Sequence, residues 1–400
     1  MKLKRLPEDF QVEEQIGLVP QGGPFALYKL TKQALGTPEA IDAILLHWNL
    51  SRGQIAYAGM KDRHALTTQF VTIKGGPRRG LAQTNLKLEY VGQANRPLEA
   101  RDITANRFAV VLRDLTADEQ AAAIRTLAAI AQDGLPNYFD EQRFGSLGES
   151  GDFIVKPWCL GDYERAVWLA LAEPNVHDRP SDREQKRLLR DNWGDWPRCK
   201  GLLDRSHRRS IITFLADKPD NFRRAIALIR QDLRSIWMAA FQSHLWNQIL
   251  AGLLGKVCQP EQLVWQTIGR RDVPFPTVLD DAQREVLSQT LLPLPSARLH
   301  LDEGPLKQLY DPVLAAEGME MRLIRVKYPR DSFFSKGERP ALFRPGDVAH
   351  EAAADEVYSG RQKLTLRFTL PRGSYATILV KRVTGLLVEE DEPSAEARES

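Results

Sequence analysis

Cysteine is scarce. The three residues in 400, Cys159, Cys199 and Cys258, are odd in number, far apart and without a C-x-x-C spacing. That argues against a disulfide framework and points to a reducing compartment, so a cytoplasmic protein is expected. Histidine is thin as well, with seven scattered residues and no ligand spacing. No G-x-G-x-x-G, Walker A, H-E-x-x-H or G-x-S-x-G pattern occurs, so neither a metal nor a nucleotide cofactor is expected. No apolar run reaches the ~20 residues of a membrane span. Met1 to Pro7 run into polar Glu8 and Asp9, and neither a secretory leader nor a membrane partner is expected.

What is there is ordinary globular material: 43% hydrophobic and 27% charged, in a length comfortable for two domains. The net charge is only +3 but unevenly spread. Residues 389–400 hold six acids and one arginine, a net −5. Residues 179–234 hold fifteen Lys/Arg against eight Asp/Glu, a net +7. Such a stretch suits a polyanion partner, although a solvated helical surface gives the same count.

Along the first 150 residues, helix and strand patterns mix. Thr37, Pro38 and Glu39 read as the start of a helix with Thr37 as N-cap, and Ile41, Ile44, Leu45 and Trp48 follow at helical spacing. Thr67–Ile73, Leu86–Tyr90 and Phe108–Leu112 read as strands. Thr116 and Glu119 form a capping box for a second helix. From 161 to 254 the pattern is mainly helical, clearest over 219–230 and 234–253. Residues 255–345 are rich in proline and loop signals. Period-two alternation returns over Lys363–Leu370, and Ala376–Val383 is expected to resume as strand. Strands at both ends around a helical middle predict a sheet domain carrying a large insertion. The acidic end, lacking a core, is expected to be disordered.

One turn stands out: Ala58-Gly59-Met60-Lys61-Asp62-Arg63-His64-Ala65-Leu66-Thr67-Thr68-Gln69. An aspartate beside Lys61 and Arg63 is favoured in its charged form and suited to act as nucleophile or base, yet a solvated turn acid has the same local sequence. This segment resembles the G-x-K-D-x-x-A-x-T-x-Q signature of the TruD family of pseudouridine synthases. Pro136-Asn137-Tyr138-Phe139-Asp140-Glu141-Gln142-Arg143-Phe144-Gly145 resembles that family's N-Y-F-G-x-Q-R-F-G. Leu370-Pro371-Arg372-Gly373-Ser374-Tyr375-Ala376-Thr377 resembles its L-P-x-G-S-Y-A-T. Asp9–Glu14, Ala105–Phe108 and Phe241–Asn247 are similar to weaker elements in the same order. Asp140 and Ala105 depart from the pattern, each standing where the family has glycine. Aspartate adds a charge there but tolerates a left-handed backbone, so the loop is expected to survive the change.

The resemblance implies an α/β protein of the α+β type. Residues 1–172 and 341–386 would form a discontinuous pseudouridine synthase catalytic domain with a mixed, mainly antiparallel sheet. Residues 173–340 would be the inserted TRUD-type domain, and 387–400 an acidic tail. It implies an isomerase with Asp62 as catalytic residue, and neither cofactor nor metal. Phe10, Asn137, Phe139, Tyr375, Lys4 and Lys61 would bind the substrate, with Lys4 at a basic position expected near Asp62. Read without the resemblance, Phe10 and Phe139 are equally good core residues, and Asn137 a turn residue. The partner would be RNA, most of all tRNA at uridine 13, and the protein a monomer. Arg208, Arg209, Arg223 and Arg224 are candidates for phosphate contacts. Three other readings stay open. One is an RNA-binding or chaperone protein without catalysis; another is the same chemistry on a different RNA. The third, a carboxylate-pair hydrolase, needs a second acid, for which Glu13, Glu14, Asp140 and Glu141 are available.

Overall fold

The computed structural model describes residues 1–385. The acidic end, expected to be disordered, lies outside the described residues. The chain divides into two compact units, Met1–Leu135 with the segment from Phe343 onward, and Pro136–Leu342.

The first unit is built on one mixed sheet. Its strands in chain order are β1 (Phe10–Ile16), β2 (Phe25–Gln33), β3 (Ile55–Tyr57), β4 (Leu66–Lys74), β5 (Leu81–Gln83), β6 (Leu86–Ala94), β7 (Ile103–Leu115), β8 (Gly346–Ala354) and β9 (Gln362–Pro371). The order across the sheet is β8-β9-β7-β1-β4-β2-β6-β5, with β3 paired to β4 off this path. Only β1 and β4 run parallel, Gln11 opposite Leu66; the other pairings are antiparallel. The mixed, mainly antiparallel sheet expected from the sequence is the sheet observed.

Period-two alternation places Ala26, Tyr28 and Leu30 of β2 on one face. There they meet Val71 and Ile73 of β4 and Ile41 and Ile44 of helix α1 (Thr37–Trp48), all buried. Burying each such aliphatic side chain contributes about 1.5–3 kcal/mol, so the α1 face is set by pattern rather than by propensity. Helix α2 (Ala117–Asp133) opens on the Thr116–Glu119 capping box. It packs against α3 (Ala376–Thr384).

Two local expectations change. The N-cap of α1 is Gly36, not Thr37, and the Thr37 side chain is buried and used elsewhere. Ala376–Thr384 is helix, not strand. Its β-branched residues favour strand locally, but Ala376, Leu379, Val380 and Val383 also fall at i, i+3, i+4 and i+7 and are buried. Burial of that stripe overrides propensity. Gly385, at φ 62°, ends the helix in the left-handed conformation glycine adopts without strain.

The second unit is mainly helical around Gln231–Val257, a helix of 27 residues. From Met238 to Leu254 it is buried on nearly every side, so its sequence shows little amphipathic contrast. Residues 136–172, expected with the sheet, belong to this unit. Tyr138, Phe153 and Trp158 are buried there. Phe153 meets Phe241 of the long helix with ring centroids 5.4 Å apart. The loop-rich stretch after 255 contains a two-stranded ribbon, Leu263–Ile268 with Arg271–Pro276, and helices Asp281–Gln289 and Lys307–Ala316.

Candidate active site

The loop 58–65 joins β3 to β4 and carries Asp62. Buried side chains hold it by its main chain. Lys32 ends the inward row of β2 after Tyr28 and Leu30 and is 1% exposed. Its ammonium donates to the carbonyls of Leu35 at 2.6 Å, Lys61 at 3.2 Å and Asp62 at 2.8 Å. Three donors meet three acceptors, the full capacity of the group. Burial pushes Lys32 down to about 8, opposed by the charges of Asp62 and Glu39 and reinforced by that of Lys61.

Thr37 works beside it. Its Oγ1 accepts the Lys61 N–H at 2.9 Å and donates to Gln69 Oε1 at 2.8 Å. Gln69 Nε2 in turn donates to the Gly59 carbonyl at 3.2 Å. The turn is thus bonded at Gly59, Lys61 and Asp62 by residues of β2, α1 and β4. Buried polar groups paired in this way fix a loop geometry that sequence-local bonds alone would not.

The Asp62 side chain is left 40% exposed, with Lys4 Nζ 3.9 Å from its Oδ2. Lys4 has φ 50°, an uncommon conformation for lysine. Its Nζ also lies 4.7 Å from the centre of the Phe10 ring, within cation–π range. Phe10 is 5% exposed and meets Phe108 edge-on at 6.2 Å; Phe108 stacks on Phe368 at 5.4 Å. Lys61 turns the other way. Its Nζ is 2.6 Å from Asn106 Oδ1 and 3.1 Å from Glu14 Oε2. Glu14 also accepts the Phe70 N–H at 3.2 Å, so this ion pair ties β1 to β4 and to the strand carrying Asn106. The cation within salt-bridge distance of Asp62 is Lys4, while Lys61, its neighbour in sequence, pairs with Glu14. Tyr375 stands at the N-cap of α3, half-buried.

Asn137 and Phe139 lie in the second unit. Asn137 is 3% exposed; its N–H donates to the Ala341 carbonyl and its Nδ2 to that of Pro340. Arg339 donates to the Asn137 carbonyl at 2.7 Å and to its Oδ1 at 2.6 Å. The same guanidinium lies 4.3 Å from the Phe139 ring centre, and Arg143 lies 5.3 Å from it. Trp246 meets the ring edge-on at 5.5 Å. Asn247 clasps the Phe139 main chain, accepting its N–H at 2.9 Å and donating to its carbonyl at 2.8 Å. Asp140 follows with φ −97° and ψ 176°, extended backbone that any residue adopts. The position that is glycine in the family therefore needs no left-handed conformation here, and the tolerance of aspartate for one is not called on.

All four candidate phosphate contacts touch groups of this chain, two through a carboxylate or a main-chain carbonyl and two through Tyr328. Arg208 faces Asp182 at 3.5 Å, and Arg209 donates to the Lys200 carbonyl at 3.0 Å. Arg223 and Arg224 converge on Tyr328, one over its ring at 4.9 Å and the other donating to its hydroxyl at 2.6 Å.

Sequence reasoning missed Lys32, Thr37, Asn247 and Arg339 as supporting residues. Gln69 and Asn247 stood inside quoted motifs, which was the available signal. Lys32 carried none, because a lysine in an alternating strand reads as solvent-facing. Among the described residues no group of three or more His, Cys, Asp or Glu side chains is placed to hold a metal ion. No helix among them is long and apolar enough to cross a membrane.

A family model described as tRNA pseudouridine synthase D (TruD) matches residues 1–383. A probable tRNA pseudouridine synthase D 2 from Methanocaldococcus jannaschii is 32% identical over 389 residues, covering 96% of this chain and 91% of that protein. The tRNA pseudouridine synthase D of Aquifex aeolicus is 28% identical over 398 residues, covering 96% and 98%. The crystal structure of a putative TruD from Methanosarcina mazei superposes with a TM-score of 0.76 at 24% identity, covering 96% of this chain and 93% of that one, a likeness of fold. Matched almost end to end, the chain belongs to the TruD family of tRNA pseudouridine synthases, enzymes of the isomerase class.

Proposed function

We propose that this protein isomerises uridine 13 of tRNA to pseudouridine, with Asp62 as the catalytic residue. The reaction breaks the N1–C1′ bond and joins C5 to C1′. One proton leaves C5 and one is gained at N1, so no electron acceptor or co-substrate enters the balance. It needs a carboxylate in contact with the nucleoside and a base extruded from the RNA fold. The observation that carries the reading is the Asp62 turn. Its main chain is tied by Lys32, Thr37 and Gln69, while its carboxylate stays accessible beside Lys4, whose ammonium also lies over the Phe10 ring. A turn acid kept only for solubility has no use for a buried ammonium behind it. Phe10, Phe139, Asn137 and Tyr375 are the proposed uridine-binding residues, and Lys4 and Lys61 the supporting cations. The catalytic domain is assigned to the sheet unit and the inserted domain to the helical one. The protein works without cofactor, as a cytoplasmic monomer.

Incubating unmodified tRNA with the wild type and with Asp62→Ala, then reading carbodiimide-dependent reverse-transcriptase stops, tests this. A stop at position 13 with the wild type and none with the variant is the expected result. Stops at another position or in another RNA class would move the target. Binding without stops in either protein would favour a non-catalytic RNA-binding role.

A further inference from the structure

Many cations of the basic stretch are neutralised within the second unit. Lys186 is paired with Asp178, Arg187 with Glu184 and Asp191, Arg230 with Asp232 and Arg234 with Asp331. A different arrangement surrounds Tyr328. A cavity of about 460 Å³ is lined by Phe214, Lys218, Asn221, Arg223, Arg224 and Tyr328. Its wall contains three cations, an amide and two aromatic rings, and no carboxylate. Among the described residues none of the three cations makes a salt bridge, although Asp217 and Asp220 lie nearby in sequence. The tyrosine organises two of them: the Arg223 guanidinium lies 4.9 Å from its ring centre, and Arg224 Nη1 donates to its hydroxyl at 2.6 Å. Tyr328 is itself anchored, its carbonyl accepting the Trp158 Nε1–H at 3.0 Å. Exposed Arg325, Lys327 and Arg330 flank it, and residues 321–330 contain no acid.

The three cations are exposed, and no carboxylate among the lining residues competes for a bound anion. Arginine forks suit phosphate oxygens, and a tyrosine that fixes two of them lowers the entropy lost on binding. We propose that the Lys218–Arg223–Arg224–Tyr328 pocket binds a phosphodiester of the RNA substrate. It is a contact of the inserted unit that adds affinity and positions the RNA without reading its sequence. The inference rests on the reading of this protein as an enzyme acting on RNA, and it assigns the pocket no part in the chemistry.

The test compares the wild type with Arg223→Ala, Arg224→Ala and Lys218→Ala on an unmodified tRNA transcript. Initial rates give kcat and KM, and binding is measured over a series of salt concentrations. Each Ala variant is expected to raise KM and Kd roughly threefold to tenfold, to leave kcat at saturating RNA unchanged, and to reduce the salt slope by about 1. Tyr328→Phe is expected to raise KM less, because the ring remains and only the Arg224 partner is lost. Unfolding temperature identifies any variant that fails to fold, in which case Arg224→Gln replaces it. Unchanged KM and salt slope in folded variants, with an active wild type, overturn the pocket. An inactive wild type whose RNA binding still depends on these residues keeps the pocket and sinks the catalytic assignment.

Discussion

The ammonium of Lys32 donates to the main-chain carbonyl of Asp62 at 2.8 Å, from a position 1% exposed to solvent. A charge hidden inside the sheet unit therefore sets the backbone from which the proposed catalytic carboxylate projects. Lysine is costly to bury, and the three carbonyls it satisfies at Leu35, Lys61 and Asp62 are what compensate it.

Replacing Lys32 with Met removes those bonds while keeping most of the volume. With Asp62 as the catalytic residue, kcat is expected to fall roughly 10- to 100-fold through misplacement of the turn. KM for RNA is expected to change little. Circular dichroism and a thermal melt establish that the variant is folded under the assay conditions. A kcat equal to wild type would mean that the turn keeps its geometry unaided.

Lys32 also predicts a pH dependence. Its folded value is lowered from 10.5 to about 8, so it loses its proton as pH rises through about 8. The neutral amine offers two donors to three carbonyls, and the rate is expected to decline on that limb. The Lys32→Met variant should lack this limb and keep any due to the RNA itself. Stability moves in the opposite direction, because between pH 8 and 10.5 the unfolded chain holds the proton more tightly than the folded one. A rate profile flat to pH 9 in the wild type would refute the link.

Lys61 and Glu14 form an ion pair with side chains 11% and 0% exposed. Removing one member leaves the other charged and buried. Lys61→Met is expected to destabilise the fold by about 3–5 kcal/mol, and Lys61→Met with Glu14→Leu by much less. Urea unfolding of the two single variants and the double variant reads the coupling. A pair that contributes nothing would show additive changes.

Asn247 offers a test in the second unit. Its amide satisfies both the N–H and the carbonyl of buried Phe139. Asn247→Leu leaves both unpaired, at an expected cost of about 2–4 kcal/mol in denaturant unfolding. Asn247→Asp keeps the acceptor but loses the donor and buries a carboxylate against the Phe139 carbonyl, so it should cost at least as much.

Glu317 gives an acid-side prediction. The hydrogen bond with His244 at 3.0 Å, and next to it Lys156 at 2.8 Å, hold it down to about 2 against the opposing effect of burial. Its folded value is depressed, so its contribution is complete above about pH 5 and is lost as pH falls toward 2. That contribution is up to about 3 kcal/mol. Glu317→Gln should flatten the fall in melting temperature over that range.

The sequence by itself determined four strands of the sheet (β4, β6, β7 and β9), the capping box of α2 and the long helix, because period-two and helical burial patterns leave direct marks on residue order. It also placed Asp62 on a turn, since Gly59 and the following strand pattern are local signals. Other features came from contacts remote in sequence. Ala376–Thr384 is a helix because its apolar stripe finds α2, against its own strand propensity. Residues 136–172 join the helical unit because Phe153 and its neighbours meet the helix Gln231–Val257. Thr37 is a support for Lys61 rather than a cap because Gly36 already fills that position. Lys32 and Asp62 are thirty residues apart, and nothing in either neighbourhood marks the bond between them. Only the folded sheet brings a buried ammonium under that turn, because burying the charge is tolerable only where three main-chain carbonyls already converge.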